Sequence, residues 1–104
     1  MLTYEFILPQ SKVARDAAGR LTNFETKLAL TFGGYTKIPA TGTWYSPLTR
    51  TGPETEAVFL YRVTMLPSER PALLALVLDY ARKQGEKALY FGTAAEAEIY
   101  LTGN

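Results

Sequence analysis

Apolar and polar positions alternate at the start of the chain, then recur at three- and four-residue spacing, and this succession predicts the elements. Leu2, Tyr4, Phe6 and Leu8 are set against Thr3, Glu5 and Ile7, the period of a β-strand, and Pro9 closes it. Residues 10–21 are polar around Asp16-Ala17-Ala18-Gly19-Arg20 and predict an exposed loop. Leu21, Phe24, Leu28 and Phe32 then recur at helical spacing. Thr22-Asn23-Phe24-Glu25 has the capping-box pattern, which places the helix start at Thr22, and Gly33-Gly34 supply the left-handed backbone that ends it.

Beyond the glycines, Ile38-Pro39-Ala40 predicts extended chain and Gly42–Ser46 a short strand with Trp44 on one face and Thr43 and Tyr45 on the other. Ser46-Pro47 and Thr51-Gly52-Pro53-Glu54 read as a turn-rich connection. Residues 56–66 form the longest apolar stretch, and Glu56–Val63 carries apolar groups on both faces, so this strand belongs in the middle of a sheet. Ser68 and Pro71 are expected to start a second helix bearing Leu73, Leu74, Val77, Leu78 and Ala81, with Arg82 and Lys83 at its negative end and Gly85 as terminator. Lys87–Phe91 reads as a further strand. Thr93-Ala94-Ala95-Glu96 repeats the capping-box spacing, while Glu98-Ile99-Tyr100-Leu101 suits a strand, so residues 94–104 stay open between the two.

The order β-α-β-β-α-β is that of a ferredoxin-like split βαβ fold: an α+β domain spanning 1–104, one antiparallel sheet in the order 4-1-3-2, and two helices on one face. The opposite sheet face would then be bare. A homodimer through that face is the expectation, with a tail packed across it as the alternative. Residues 33–46 hold the only Trp beside Tyr45 and three glycines, and are expected to be the hub of the fold.

Composition narrows the chemistry. Eleven basic against ten acidic side chains leave a net charge of +1 with no run of like charge, so neither nucleic acid nor membrane is expected as a partner. The chain has no Cys and no His. Thiolate and imidazole chemistry are therefore excluded, and no cofactor and no metal site is expected. The first residues lack the basic and apolar regions of a signal peptide, which predicts a cytoplasmic location.

Phe32-Gly33-Gly34-Tyr35-Thr36, Gly42-Thr43-Trp44, the Gly/Pro turn, the apolar strand after it, and Arg82-Lys83-Gln84-Gly85-Glu86-Lys87-Ala88-Leu89 together resemble an uncharacterised bacterial family of small ferredoxin-like proteins. The resemblance covers residues 32–91. It implies the fold and no established activity.

The candidate ligand-binding residues are Tyr35, Lys37, Trp44, Tyr45, Arg50 and Tyr61, with no catalytic residue assigned. Aromatic faces hold bases or apolar ligands, and Lys37 and Arg50 offer contacts to anions. Gly33-Gly34 ahead of Lys37 is read as a helix cap in preference to a phosphate loop. Glu5 and Glu56 are weighed as neighbours on paired strands, Tyr4, Tyr45 and Tyr61 as phenols that approach one another, and Arg62 as a further anion contact. Three functions follow. The leading one is a noncatalytic binding or regulatory homodimer that engages a protein or a small organic ligand. The alternatives are a cofactor-free enzyme or pocket protein of the dimeric α+β barrel type, with a pocket near Trp44, and a nucleotide sensor using residues 9–21 and Lys37.

Overall fold

A computed structural model of the chain describes residues 1–10, 19–45, 52–86, 88–93 and 97–101. Most of the expected 10–21 loop, the turn at Ser46-Pro47, Arg50, and the Ala94-Ala95-Glu96 part of the second capping box lie outside them. The elements are β1 (Leu2–Pro9), α1 (Arg20–Phe32), β2 (Thr36–Tyr45), β3 (Pro53–Met65), a 3₁₀ turn (Pro67–Glu69), α2 (Arg70–Lys83), β4 (Ala88–Thr93) and β5 (Ala97–Leu101). The fold is a small α+β domain with one antiparallel sheet and two helices. The strands run β2-β3-β1-β4-β5, with every neighbouring pair antiparallel. Among the described residues no helix is long and apolar enough to cross a membrane.

The period-two pattern of β1 is realised in its burial. Tyr4, Phe6 and Leu8 point into the core, joined by Tyr61, Val63 and Met65 from β3 and by Leu89 and Phe91 from β4. Both helices lay their stripes on this one face: Phe24 and Leu28 from α1, and Leu73, Val77 and Tyr80 from α2. Phe24 stacks on Tyr80 at 4.4 Å between ring centres, and Phe6 on Tyr61 at 4.8 Å, so helix and sheet rings meet in one aromatic layer. The opposite face is mixed. It carries the Glu5–Arg62 ion pair at 3.0 Å, a Thr3–Thr64 hydroxyl contact at 2.8 Å, and half-buried Ile7, Ile38 and Leu60.

Several expectations need correction. Helix α1 begins at Arg20, two residues before Thr22, with Gly19 at its N-cap in the left-handed region. Glu25 does not turn back to cap the helix, because its carboxylate is bonded to the sheet (below). Its end is as expected: Gly33 has φ 88° and its amide donates to the Ala29 carbonyl at 2.9 Å. Gly33→Ala is expected to cost about 1–2 kcal/mol, since a Cβ is strained at positive φ. Urea unfolding of the two proteins checks this. Ser68 lies inside the 3₁₀ turn and does not cap α2, whose N-cap is Glu69. Residues 97–101 form neither a helix nor a cover for the bare face; they extend the sheet beyond β4.

The 33–46 stretch is not the hub. Strand β2 runs unbroken from Thr36 to Tyr45 at the sheet edge, where Pro39 removes no bond that a central strand would need. β1 pairs with β3 only as far as Pro9 opposite Val58, whereas Trp44 lies opposite Glu54 and Tyr45 opposite Pro53. The β2–β3 hairpin thus outruns the sheet that would bury its end. Trp44 is 42% exposed and Tyr45 59%. The Trp44 ring folds back over Gly42, where a Cβ would collide with it.

Candidate functional site

Two groups of side chains stand out, one filled and one open. The filled group is built on Glu25, which α1 presents to the sheet one residue after the buried Phe24. The Tyr61 hydroxyl donates to Glu25 Oε2 at 2.7 Å, and Lys37 Nζ lies 2.9 Å from the same oxygen. Lys37 also stands 4.3 Å above the Phe59 ring, a cation–π contact along β2 and β3. Tyr35 completes the group, its ring 5.8 Å from that of Tyr61. Burial pushes the Tyr61 hydroxyl far above the ordinary tyrosine value, and the Glu25 carboxylate it bonds adds to the rise. Burial, then the charge of Glu25, raises Tyr35 in the same direction. Both phenols therefore stay protonated through the neutral range, and the cluster acts as a charge-assisted lock between α1 and the sheet.

The structure thus brings together three of the expected residues, Tyr35, Lys37 and Tyr61, around a carboxylate that the sequence offered as a cap. Trp44 and Tyr45 lie apart from them at the hairpin end, and Arg50 lies outside the described residues. Glu5 and Glu56 are not neighbours: Glu5 faces Arg62, and Glu56 faces Gly42. Arg62 is correspondingly engaged by Glu5. Tyr4 stacks at 6.0 Å on Phe91, away from Tyr45 and with Phe6 between it and Leu8 along β1.

The open group surrounds a cavity of about 540 Å³ at the other end of the sheet. Leu2 and Tyr4 of β1, Phe91, Gly92 and Thr93 of β4, Tyr100 of β5 and Arg70 of α2 line it. Their convergence follows from topology: Tyr4 lies opposite Thr93 in the β1–β4 ladder, β5 brings Tyr100 alongside, and the 3₁₀ turn after β3 delivers Arg70 above them. Arg70 Nη2 donates to the Tyr100 hydroxyl at 2.7 Å, and its guanidinium carbon stands 5.3 Å from the centre of the Phe91 ring. The Phe91 and Tyr100 rings meet edge to face at 6.2 Å. The result is a half-open recess floored by the buried Tyr4 and Phe91, with the half-buried Tyr100 and Arg70 at its side, in a volume within the range that holds drug-sized ligands. A second recess, about 110 Å³ between the helices, is too small for that.

None of the expected site residues that the structure describes lines the cavity. Sequence reading noted Tyr4 as a phenol and passed over Arg70, Phe91 and Tyr100. The signal for the last was present in the strand reading of 98–101, which puts Tyr100 in a sheet; the missing step was that this strand joins the edge beside β4.

A small α+β domain with an aromatic cavity between the sheet and the start of its second helix is the class these features define. In fold the chain is similar to a phage SAM lyase solved in complex with S-methyl-5'-thioadenosine, with a TM-score of 0.65 and 9% sequence identity over 95% of this chain and 88% of that one. It is similar also to a phage SAM lyase in the apo state, with a TM-score of 0.63 and 7% identity over 95% and 87% of the two chains. No family model matches the sequence, and no curated protein does. These likenesses correct the leading expectation of a noncatalytic binding or regulatory protein, because the matching structures are of a lyase and favour the enzyme alternative. The inference from missing His and Cys was too broad: their absence removes imidazole and thiol chemistry, and leaves reactions that need neither.

Proposed function

We propose that this chain is a cofactor-free enzyme that cleaves S-adenosylmethionine (SAM), with the cavity around Tyr4, Phe91 and Tyr100 as its site, on a ferredoxin-like frame extended by β5. The observation that carries the reading is the likeness along 95% of the chain to a lyase holding S-methyl-5'-thioadenosine. The frame is supported by the strand succession, which taken from β4 runs β4-β1-β3-β2 with antiparallel neighbours. It replaces the pocket expected near Trp44.

The chemistry fits what the chain has. S-Methyl-5'-thioadenosine is what remains of SAM when the bond from sulfur to the amino-acid side chain breaks and its electron pair stays on sulfur. The leaving group is then a neutral thioether, which needs no proton from a general acid. The four-carbon fragment regains an electron pair from its own carboxylate oxygen, which bonds to the carbon that the sulfur leaves, and the sulfonium charge is cancelled. Reactions that cancel charge gain from a water-poor wall. The half-buried Tyr100 ring offers stacking for the adenine or cation–π contact for the sulfonium, backed from the core by Tyr4 and Phe91.

Incubation with SAM, followed by chromatography for S-methyl-5'-thioadenosine, tests the proposal. Enzyme-dependent release of the thioether is expected, falling at least about tenfold in Tyr100→Leu, which removes the half-buried ring at the cavity. Intact SAM after prolonged incubation with folded protein at high concentration overturns it.

A further inference from the structure

We propose that the sheet face opposite the helices is an interface between two copies of this chain, stacked about a two-fold axis that runs along the strands between β1 and β3. The lyase reading is not needed for it, since none of the residues it uses lines the cavity. On that face the β1–β3 ladder sets Ile7 beside Leu60, Glu5 beside Arg62 and Thr3 beside Thr64. Glu5 and Arg62 form the ion pair at 3.0 Å, and the Thr3 and Thr64 hydroxyls lie 2.8 Å apart. Thr3, Arg62 and Thr64 are exposed, and Glu5, Ile7 and Leu60 are half-buried. The open part ends at that level, because Pro9 and Val58, next along the same face, are buried. Residues 97–101, which could have served as a cover, extend the sheet instead.

The order of these pairs identifies the occupant. A two-fold axis between the two strands lays each β1 residue over the second copy's residue at its own cross-strand position: Ile7 over Leu60, Glu5 over Arg62 and Thr3 over Thr64. Apolar then meets apolar, acid meets base and hydroxyl meets hydroxyl, and the symmetry repeats each contact. The face is its own complement, and the two ion pairs close into a ring of four alternating charges. Stacked sheets keep their strands within about 30° of each other, an alignment that this axis allows. The patch is small beside the roughly 20–30 residues that each partner gives to a standard interface, so weak, concentration-dependent association is expected.

Sedimentation velocity of the full chain, from micromolar to about millimolar concentration, is expected to show a reversible dimer. Glu5→Arg leaves two cations on the face and Arg62→Glu leaves two acids, and each variant alone is expected to self-associate at least about tenfold more weakly. Mixed in equal amounts, the two are expected to recover association to within about threefold of the unsubstituted chain, although neither holds an internal pair. Only the second copy can supply the opposite charge in that mixture. Far-UV circular dichroism checks that both variants fold. If either does not, Thr3→Cys and Thr64→Cys replace them, at exposed positions of a chain that has no cysteine of its own. In their mixture a short bis-maleimide is expected to join one variant to the other in preference to either with itself. A monomer across the whole range overturns the proposal, and a trimer overturns the two-fold stacking. A dimer whose charge variants stay apart when mixed, or whose cysteines link without that preference, overturns it as well.

Discussion

Tyr61→Ala is expected to remove about 3–5 kcal/mol of stability, enough to unfold a domain of this size in mild denaturant. Tyr61 is fully buried, stacked on Phe6 and edge-on to Phe24 at 6.2 Å, so its loss opens a cavity where the sheet meets α1. Truncation also strips Glu25 of the hydroxyl that satisfies it. Tyr61→Phe separates the two contributions: the ring packing stays and the charge-assisted hydrogen bond goes, for about 1.5–3 kcal/mol. Glu25 keeps Lys37 in that variant, which favours the lower end of the range. Urea unfolding of the three proteins gives both differences. Near-equal losses in the two variants would show that the hydrogen bond, and not the ring, holds α1 to the sheet.

The second large effect is alkaline. Burial and Glu25 raise the folded-state pKa of Tyr61 above the ordinary 10.0 that the unfolded chain displays. Above that pH the unfolded chain releases a proton that the folded chain keeps, so the folded state binds more protons and stability falls as pH rises. The stabilisation is complete below pH 10 and is lost toward the folded-state value. For one such group the slope is about 1.4 kcal/mol per pH unit. Tyr61→Phe removes that slope; Tyr35, which shares Glu25 and is also raised, keeps a slope of its own in both proteins. Urea midpoints between pH 8 and about 11.5 measure it. If both proteins lose stability in parallel above pH 10, the buried hydroxyl is not the group that titrates.

Much of the frame is legible in the chain. The Leu2–Leu8 alternation, the Phe24 and Leu28 spacing, the Gly33 terminator and the Leu73, Val77 and Ala81 stripe each carry a local signal. Local signals fix periodicity, and periodicity fixes which face of an element is apolar. The helix starts were less legible because caps compete with tertiary bonds. Glu25 fits a capping box by spacing, yet Tyr61 and Lys37 claim its carboxylate from residues 36 and 12 positions away. Trp44 misled for a related reason. A large aromatic in a strand predicts burial only where a neighbouring strand or helix reaches it, and β1 stops at the level of Val58.

The sequence by itself therefore determined the kinds and order of the elements from β1 to β4, the apolar face of β1 and of each helix, and the absence of imidazole and thiol chemistry, because these depend on spacing along the chain and on which residue types are present. Only the tertiary structure decided where β5 sits, which carboxylate Tyr61 meets, and that Tyr4, Arg70, Phe91 and Tyr100 line one recess. Those residues are brought together by strand pairing and by the turn into α2, across separations of up to 96 positions between Tyr4 and Tyr100. No local pattern encodes such a meeting, since it depends on which edge of the sheet the last strand joins.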